Sequence, residues 1–292
     1  MQTVVPSPLA RPSRFGLVAS LGGEAGIRQA MADTPSEGGL DRWENGYEIG
    51  PYDCLVPSDA FAAACADTPD FTADESQESE TISVTPVGLW SRIDCSTFSG
   101  ESAVQTQRAE AKLTALTSYY VEREIWAGAV GSTYESPNQA LKDPNDVVGD
   151  AAYEPVLGLA SLVDQFGECS GGARAMVHAP VAVVYAWLQH GILRRDAGLL
   201  LDALDNIFVP GTGYDGTGPE AVTDGVQWVF ATEIIDLRLS DIRSRTIEFT
   251  DQTNNNRFAV ASRVSGASWN PCCHLGVRID PALCCGSGGE VE

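Results

Sequence analysis

Residues 225–280 read GVQWVFATEIIDLRLSDIRSRTIEFTDQTNNNRFAVASRVSGASWNPCCHLGVRID, and this stretch decides the fold. Short runs rich in Val, Ile, Leu, Phe and Trp alternate with polar residues, and one cluster, DQTNNN at 251–256, holds the side chains that turns favour. The pattern predicts successive strands with a hairpin-like connection at 251–256. No catalytic cluster recurs along it, so the sheet is expected to be architectural.

Just upstream, PGTGYDGTGP at 210–219 contains Gly211-x-Gly213-x-x-Gly216, the spacing of a dinucleotide fingerprint. Pro219 follows within a few residues, and neither a strand–turn–helix context nor a later acidic partner is evident, so the loop reads as a turn that supports Tyr214. Before it, residues 154–168 place Val156, Leu159, Leu162, Val163 and Phe166 at helical spacing, closed by CSGG at 169–172. Residues 175–178 suit a short strand, and PVAVVYAWLQ at 180–189 a helix with proline in its first turn. Helices and short strands alternate through this middle third, which predicts a compact α/β subdomain.

The best-marked helix covers 102–127. Ser102-x-x-Gln105 is a capping-box pattern, and RAEAKLTAL is built of strong helix formers. Leu113, Leu116, Tyr120 and Ile125 share one face, whereas Arg108, Glu110, Lys112, Glu122 and Arg123 are expected on others. The helix ends near Gly128, and 131–150, with Pro137 and Pro144, reads as a polar loop. Residues 52–98 combine an Ala-rich piece at 58–66, an acidic run at 67–80 and a β-rich run at 81–90; they predict a projecting hairpin whose second limb Pro86 restricts to an irregular or edge position. Residues 1–50 show little periodicity and read as an extended arm, separable by deletion of 2–40.

The chain has 292 residues, enough for one core with a second subdomain or arms. Its 18 basic and 40 acidic residues give a net charge of −22, which disfavours general binding to phosphate backbones. Only Lys112 and Lys142 are lysines; the other basic residues are Arg, suited to planar, multidentate contacts. MQTVVPSPLARPSRFG at the start lacks the apolar core of a secretory signal, so a reducing compartment is expected for the eight cysteines. The longest apolar run, 179–193, is broken by Pro180 and by Gln189-His190, too early to span a bilayer.

Two constellations could carry chemistry. Cys272, Cys273 and His274 with Cys284 and Cys285 offer soft metal ligands, but adjacent cysteines in a strand point to opposite faces, so buried thiols are preferred; a zinc site and a disulfide through Cys284 or Cys285 stay open. Cys169 and His178 could be imagined as nucleophile and base, yet no third orienting group is visible, and His178, His190 and His274 are the only histidines. No catalytic, cofactor-binding or metal-binding residue is therefore assigned.

The order of parts resembles the tailed-phage major capsid protein family. More narrowly, GGARAMVHAP at 171–180, WVFAT at 228–232, Asn256-Arg257 and WNPCCH at 269–274 resemble head proteins of phages of actinobacteria. The resemblance implies an α+β chain of the Hong-Kong-97-type capsid fold. It would have an N-terminal arm (1–50), an extended loop (51–100), a peripheral subdomain with a long spine helix (101–150) and an axial α/β subdomain (151–240), with strands returning to the peripheral subdomain in 241–292. It further implies a non-enzymatic shell subunit that forms hexamers and pentamers around double-stranded DNA in a virion built in the bacterial host cytoplasm. Scaffolding, portal and decoration proteins would be its partners; no membrane and no cofactor would be involved. With so few lysines, covalent Lys–Asn cross-linking is not expected. The competing readings are a related encapsulating shell protein and a zinc- or cysteine-dependent enzyme.

Overall fold

A computed structural model describes residues 13–27, 43–44, 46–52, 80–96, 102–128, 138–248 and 256–283. Two sheets hold most of the strand residues, and one helix packs against both.

The expected strands in 225–280 form as β9 (Gln227–Thr232), β10 (Asp236–Leu239), β11 (Arg243–Glu248), β12 (Asn256–Ser268) and β13 (Leu275–Ile279). β11 and β12 are antiparallel neighbours, while most of the polar cluster between them lies outside the described residues. β12 is the axis of a four-stranded sheet. Along one edge it pairs with β3 (Val87–Ser96), and along the other with β11 and then β10, all antiparallel.

The second sheet has seven strands in the order β4-β13-β9-β5-β8-β7-β6. Here β4 is Asp146–Tyr153, β5 Met176–Pro180, β6 Arg194–Asp196, β7 Leu199–Leu201 and β8 Ile207–Gly211. Both faces are covered, which is why WVFA in β9 is apolar throughout instead of alternating with polar residues. Trp228 and Phe230 point into one core, Val229 and Ala231 into the other. β8, on the far side of β5, divides likewise, with Ile207 and Val209 on one side and Phe208 on the other.

Helix α1 (Leu17–Ser20) precedes the long helix α2 (Ser102–Ala127); α3 (Pro155–Cys169) and α4 (Val181–Gln189) follow. α2 keeps the expected bounds and stops where Gly128 takes φ 63°, a left-handed conformation cheap only for glycine. At 1.5 Å per residue it is about 39 Å long. Ala109 and Leu113 pack on the four-stranded sheet side, and Trp126 reaches Phe230 of the seven-stranded sheet. α3 places Pro155 at its first turn, where the missing N–H costs nothing, and buries Leu159, Leu162 and Phe166 in the second core. In α4, Pro180 is the N-cap and the helix proper begins at Val181.

Several expectations change. The polar loop at 131–150 is shorter than read: Asp146–Tyr153 forms an edge strand, parallel to β13. Its alternating, half-exposed residues gave little apolar signal. The segments expected as 101–150 and 241–292 each divide between the sheets, because β4 and β13 join the seven-stranded one. The hairpin forms, but its first limb, β1 (Tyr47–Tyr52), starts inside the stretch read as arm and pairs with β2 (Glu80–Val84). β2 stops before Thr85-Pro86 and β3 resumes at Val87, as Pro86 requires. Residues 53–79, with the acidic run, lie outside the described residues. The arm is also not wholly separate: Leu17 and Ile27 are 0% and 2% exposed in the first core.

Candidate functional site

The densest polar cluster sits where α2 meets the seven-stranded sheet. Glu122, expected on the surface, is 1% exposed. Its Oε1 accepts the Leu17 N–H at 3.0 Å and the Ser118 hydroxyl at 2.7 Å, and its Oε2 accepts the Gly213 N–H at 2.9 Å. One carboxylate thus joins α1, α2 and the 211–216 loop. Burial pushes its pKa above the ordinary 4.5, with Ser118 and the backbone donors pulling the other way. Gly213 can approach only because it lacks a side chain: a Cβ there would lie 2.5 Å from the Tyr119 carbonyl oxygen and 2.7 Å from Glu122 Cβ.

The glycine-rich loop seats Tyr214, as its sequence suggests, and Tyr214 stacks on Trp126 at 4.7 Å between ring centroids. His178 lies 3.0 Å from the Tyr214 hydroxyl through Nδ1 and 3.1 Å from Thr232 Oγ1 through Nε2. Thr232 Oγ1 donates to the Glu233 carbonyl, so it accepts from His178; Nε2 then carries the proton and Nδ1 accepts from Tyr214. Burial, aided by His274, lowers His178 to about 3, while burial and then Glu122 raise Tyr214 well above 10. The histidine is neutral, fully enclosed and bonded at both nitrogens. Its one ring proton is committed to Thr232 and its lone pair to Tyr214, so neither nitrogen faces an open site.

Cys169 does not face His178. It forms a disulfide with Cys273, with the two Cα atoms 5.7 Å apart, so the preferred reading of Cys273 as a buried free thiol is replaced by a cross-link between α3 and the turn leading into β13. Strand alternation could not foresee the pair, because 271–274 is a turn and the two cysteines are 104 residues apart. His274 packs edge-on against Trp269 at 5.5 Å and lies near Phe230; burial lowers it to about 4. Among the described residues no three His, Cys, Asp or Glu side chains converge as metal ligands. Cys284 and Cys285 lie outside them.

A second junction holds the base of the hairpin. The Thr85 N–H donates to Asn138 Oδ1 at 2.7 Å, and Asn138 Nδ2 donates to the Thr85 carbonyl at 2.8 Å and to Glu124 Oε1 at 2.9 Å. Glu124, only 2% exposed, thereby ties α2 to the β2–β3 bend. Above β1, Arg238 lies over the Tyr47 ring at 4.4 Å. These joints fix the β1–β2 pair against α2 and the four-stranded sheet. Sequence reasoning missed both buried glutamates; nothing in a helix's own periodicity announces that a loop distant in sequence will cover a charged position.

The outer surface carries the other candidate features. Trp90, Tyr185, Leu204 and Ile234 are 57–72% exposed. An open groove of about 790 Å³ runs between α3 and the 202–206 turn. No helix among the described residues is long and apolar enough to cross a membrane.

Spanning helix, twin sheets and the antiparallel β1–β2 pair together define a mixed α+β capsid-type fold. More particularly, it is the Hong-Kong-97-type fold of tailed-phage capsid proteins. A chain from Mycobacterium phage Ogopogo superposes with a TM-score of 0.51 at 13% identity, covering 96% of each chain. The capsid of an empty GTA particle gives 0.52 at 13% identity, over 96% of this chain and 94% of that one. The encapsulin complex from Synechococcus elongatus gives 0.50 at 11% identity over 85% of both. No family model matches the sequence, and neither does any curated protein.

Proposed function

We propose that the chain is the major capsid protein of a tailed phage: a non-enzymatic subunit that assembles through hexamers and pentamers into an icosahedral head enclosing double-stranded DNA. One observation carries this reading. The similarity to a capsid chain runs over 96% of this chain and 94% of the other, so it takes in every subdomain of the fold and not one shared motif. The buried, neutral His178 and the disulfide at Cys169 support a structural role over the cysteine-dependent alternative.

In this reading β1 and β2 are the base of the extended loop. The four-stranded sheet with most of α2 is the peripheral subdomain, and the seven-stranded sheet with α3 and α4 the axial one, with β4 and β13 included. The virion is its location, and scaffolding, portal and decoration proteins are its partners. A net charge of −22 keeps the shell wall from adhering to the packaged polyanion.

Electron microscopy of the purified chain tests the proposal. Closed icosahedral particles or ring-shaped capsomers are the expected result; a protein that stays monomeric at high concentration and with crowding agents would overturn it. The Synechococcus encapsulin similarity favours one second reading, a shell that holds protein. Nuclease-resistant DNA in particles from the native source separates the two.

A further inference from the structure

We propose that the outer face of the four-stranded sheet docks a second copy of the chain, with Trp90 seated in that copy's groove between α3 and the 202–206 turn. The inference rests on the reading of the protein as a self-assembling subunit, and it names the two surfaces that meet.

The four-stranded sheet turns one face toward α2. Leu89 and Ala261 pack there, and the Ser91 hydroxyl donates to the Ala109 carbonyl at 2.6 Å. On the other face Tyr47 of β1 covers one end: it lies under Arg238, and a Cβ on Gly266 would sit 3.0 Å from its ring. Toward the opposite end run two cross-strand rows, Arg243, Ser262 and Trp90, then Arg245, Val260 and Arg92. Trp90 is 63% exposed, the three arginines are exposed, and Gly88 leaves open space beside the indole. Tryptophan and arginine are the side chains that most often anchor protein interfaces, and here a paired strand already holds them in place.

Two observations name the occupant. The first is charge. Asp94 pairs with Arg92 and Glu44 with Arg243, so Arg245 carries the surplus of the patch. In a chain with 40 acidic and 18 basic residues, a positive patch finds its complement on the chain's own kind. The second is the groove. Val156, Leu159, Val163, Ile192 and Leu204 give it an apolar wall, and Asp164 and Glu168 stand exposed at i, i+4 spacing on its α3 side. Leu204, 72% exposed, is held out by a turn in which Asp202 Oδ1 accepts the N–H groups of Leu204 and Asn206 at 2.8 and 2.9 Å. An aromatic knob flanked by arginines thus has a counterpart in an apolar trough edged by carboxylates. Both stand exposed within one chain, so they meet only between copies. Because the two surfaces differ, the contact runs head to tail, the arrangement that closes into rings.

Sedimentation velocity on the full chain provides the test. W90A should weaken self-association at least about tenfold, and R245E and D164R/E168R should each weaken it as well. The triple variant R245E/D164R/E168R, with the charges exchanged, should recover most of that loss. All these positions are exposed, so the substitutions leave the fold of the subunit intact. A W90A chain that associates as tightly as the wild type, or a charge exchange that recovers nothing, would overturn the inference and leave the capsid reading standing on the assembly of the wild type. A wild type that stays monomeric would overturn both.

Discussion

Replacing Glu122 by Gln turns one of its oxygens into a donor that faces another donor, either the Leu17 or the Gly213 N–H. A buried donor left unpaired costs about 1–3 kcal/mol, and the urea midpoint of E122Q should fall accordingly. The pH dependence runs as follows. A carboxyl raised above 4.5 by burial binds its proton better in the native state than in the unfolded one, so its contribution is fullest below 4.5 and is lost as pH rises through the native value. The histidines act in the opposite direction. His178 and His274 are lowered to about 3 and about 4, so the unfolded chain takes up protons first, and stability falls as pH drops below 6.5. Each should contribute a slope of roughly 1.4 kcal/mol per pH unit between 6.5 and its native value. Urea titrations at pH 7, 6 and 5 measure the sum, and H178Q should flatten it. Residue types alone carried the negative conclusion about histidine chemistry, since only three histidines exist to perform it. The positive arrangement was hidden: Glu122 reads as a surface charge on α2 until a loop far along the chain is seen to cover it.

At the scale of elements, what was legible depended on whether the signal was local. α2 has a capping pattern, a run of helix formers and a glycine stop, and its bounds follow. β9 and β12 are apolar and β-branched enough to declare themselves. β4 does not, because an edge strand that buries few residues has weak alternation, and the partition of β11–β13 between two sheets depends on long-range pairing that no window of sequence contains. Two elements can be tested through their joints. Gly213→Ala would force a Cβ against α2 backbone and lift the loop, costing about 1–3 kcal/mol by thermal or urea unfolding. The Cys169–Cys273 link closes a long loop, so C273S should lower stability by about 2–5 kcal/mol by urea unfolding, and a reducing agent should lower that of the wild type by at least as much.

For the whole molecule, truncation separates what is arm from what is core. Removing 2–12 should leave the melting temperature within a degree or two, whereas removing 2–40, harmless if 1–50 were all arm, takes away buried Leu17 and Ile27 and the Glu24–Arg263 ion pair at 2.6 Å. Leu17 and Ile27 alone, at about 1.5–3 kcal/mol each, make that deletion strongly destabilising by calorimetry. The order of parts along the chain sufficed to suggest the fold, since order survives where identity has fallen to 13%. The particular joints were not legible, because they bring together segments well separated along the chain, from 53 residues for Thr85 and Asn138 to 105 for Leu17 and Glu122. β12 adds a mechanical consequence. It is stitched along both edges in one sheet and continues through Trp269–His274 directly into β13 of the other, beside the Cys273 cross-link. A load that pulls the sheets apart is therefore borne by covalent backbone and by hydrogen bonds strained together in shear, as in a tie rod anchored at each end.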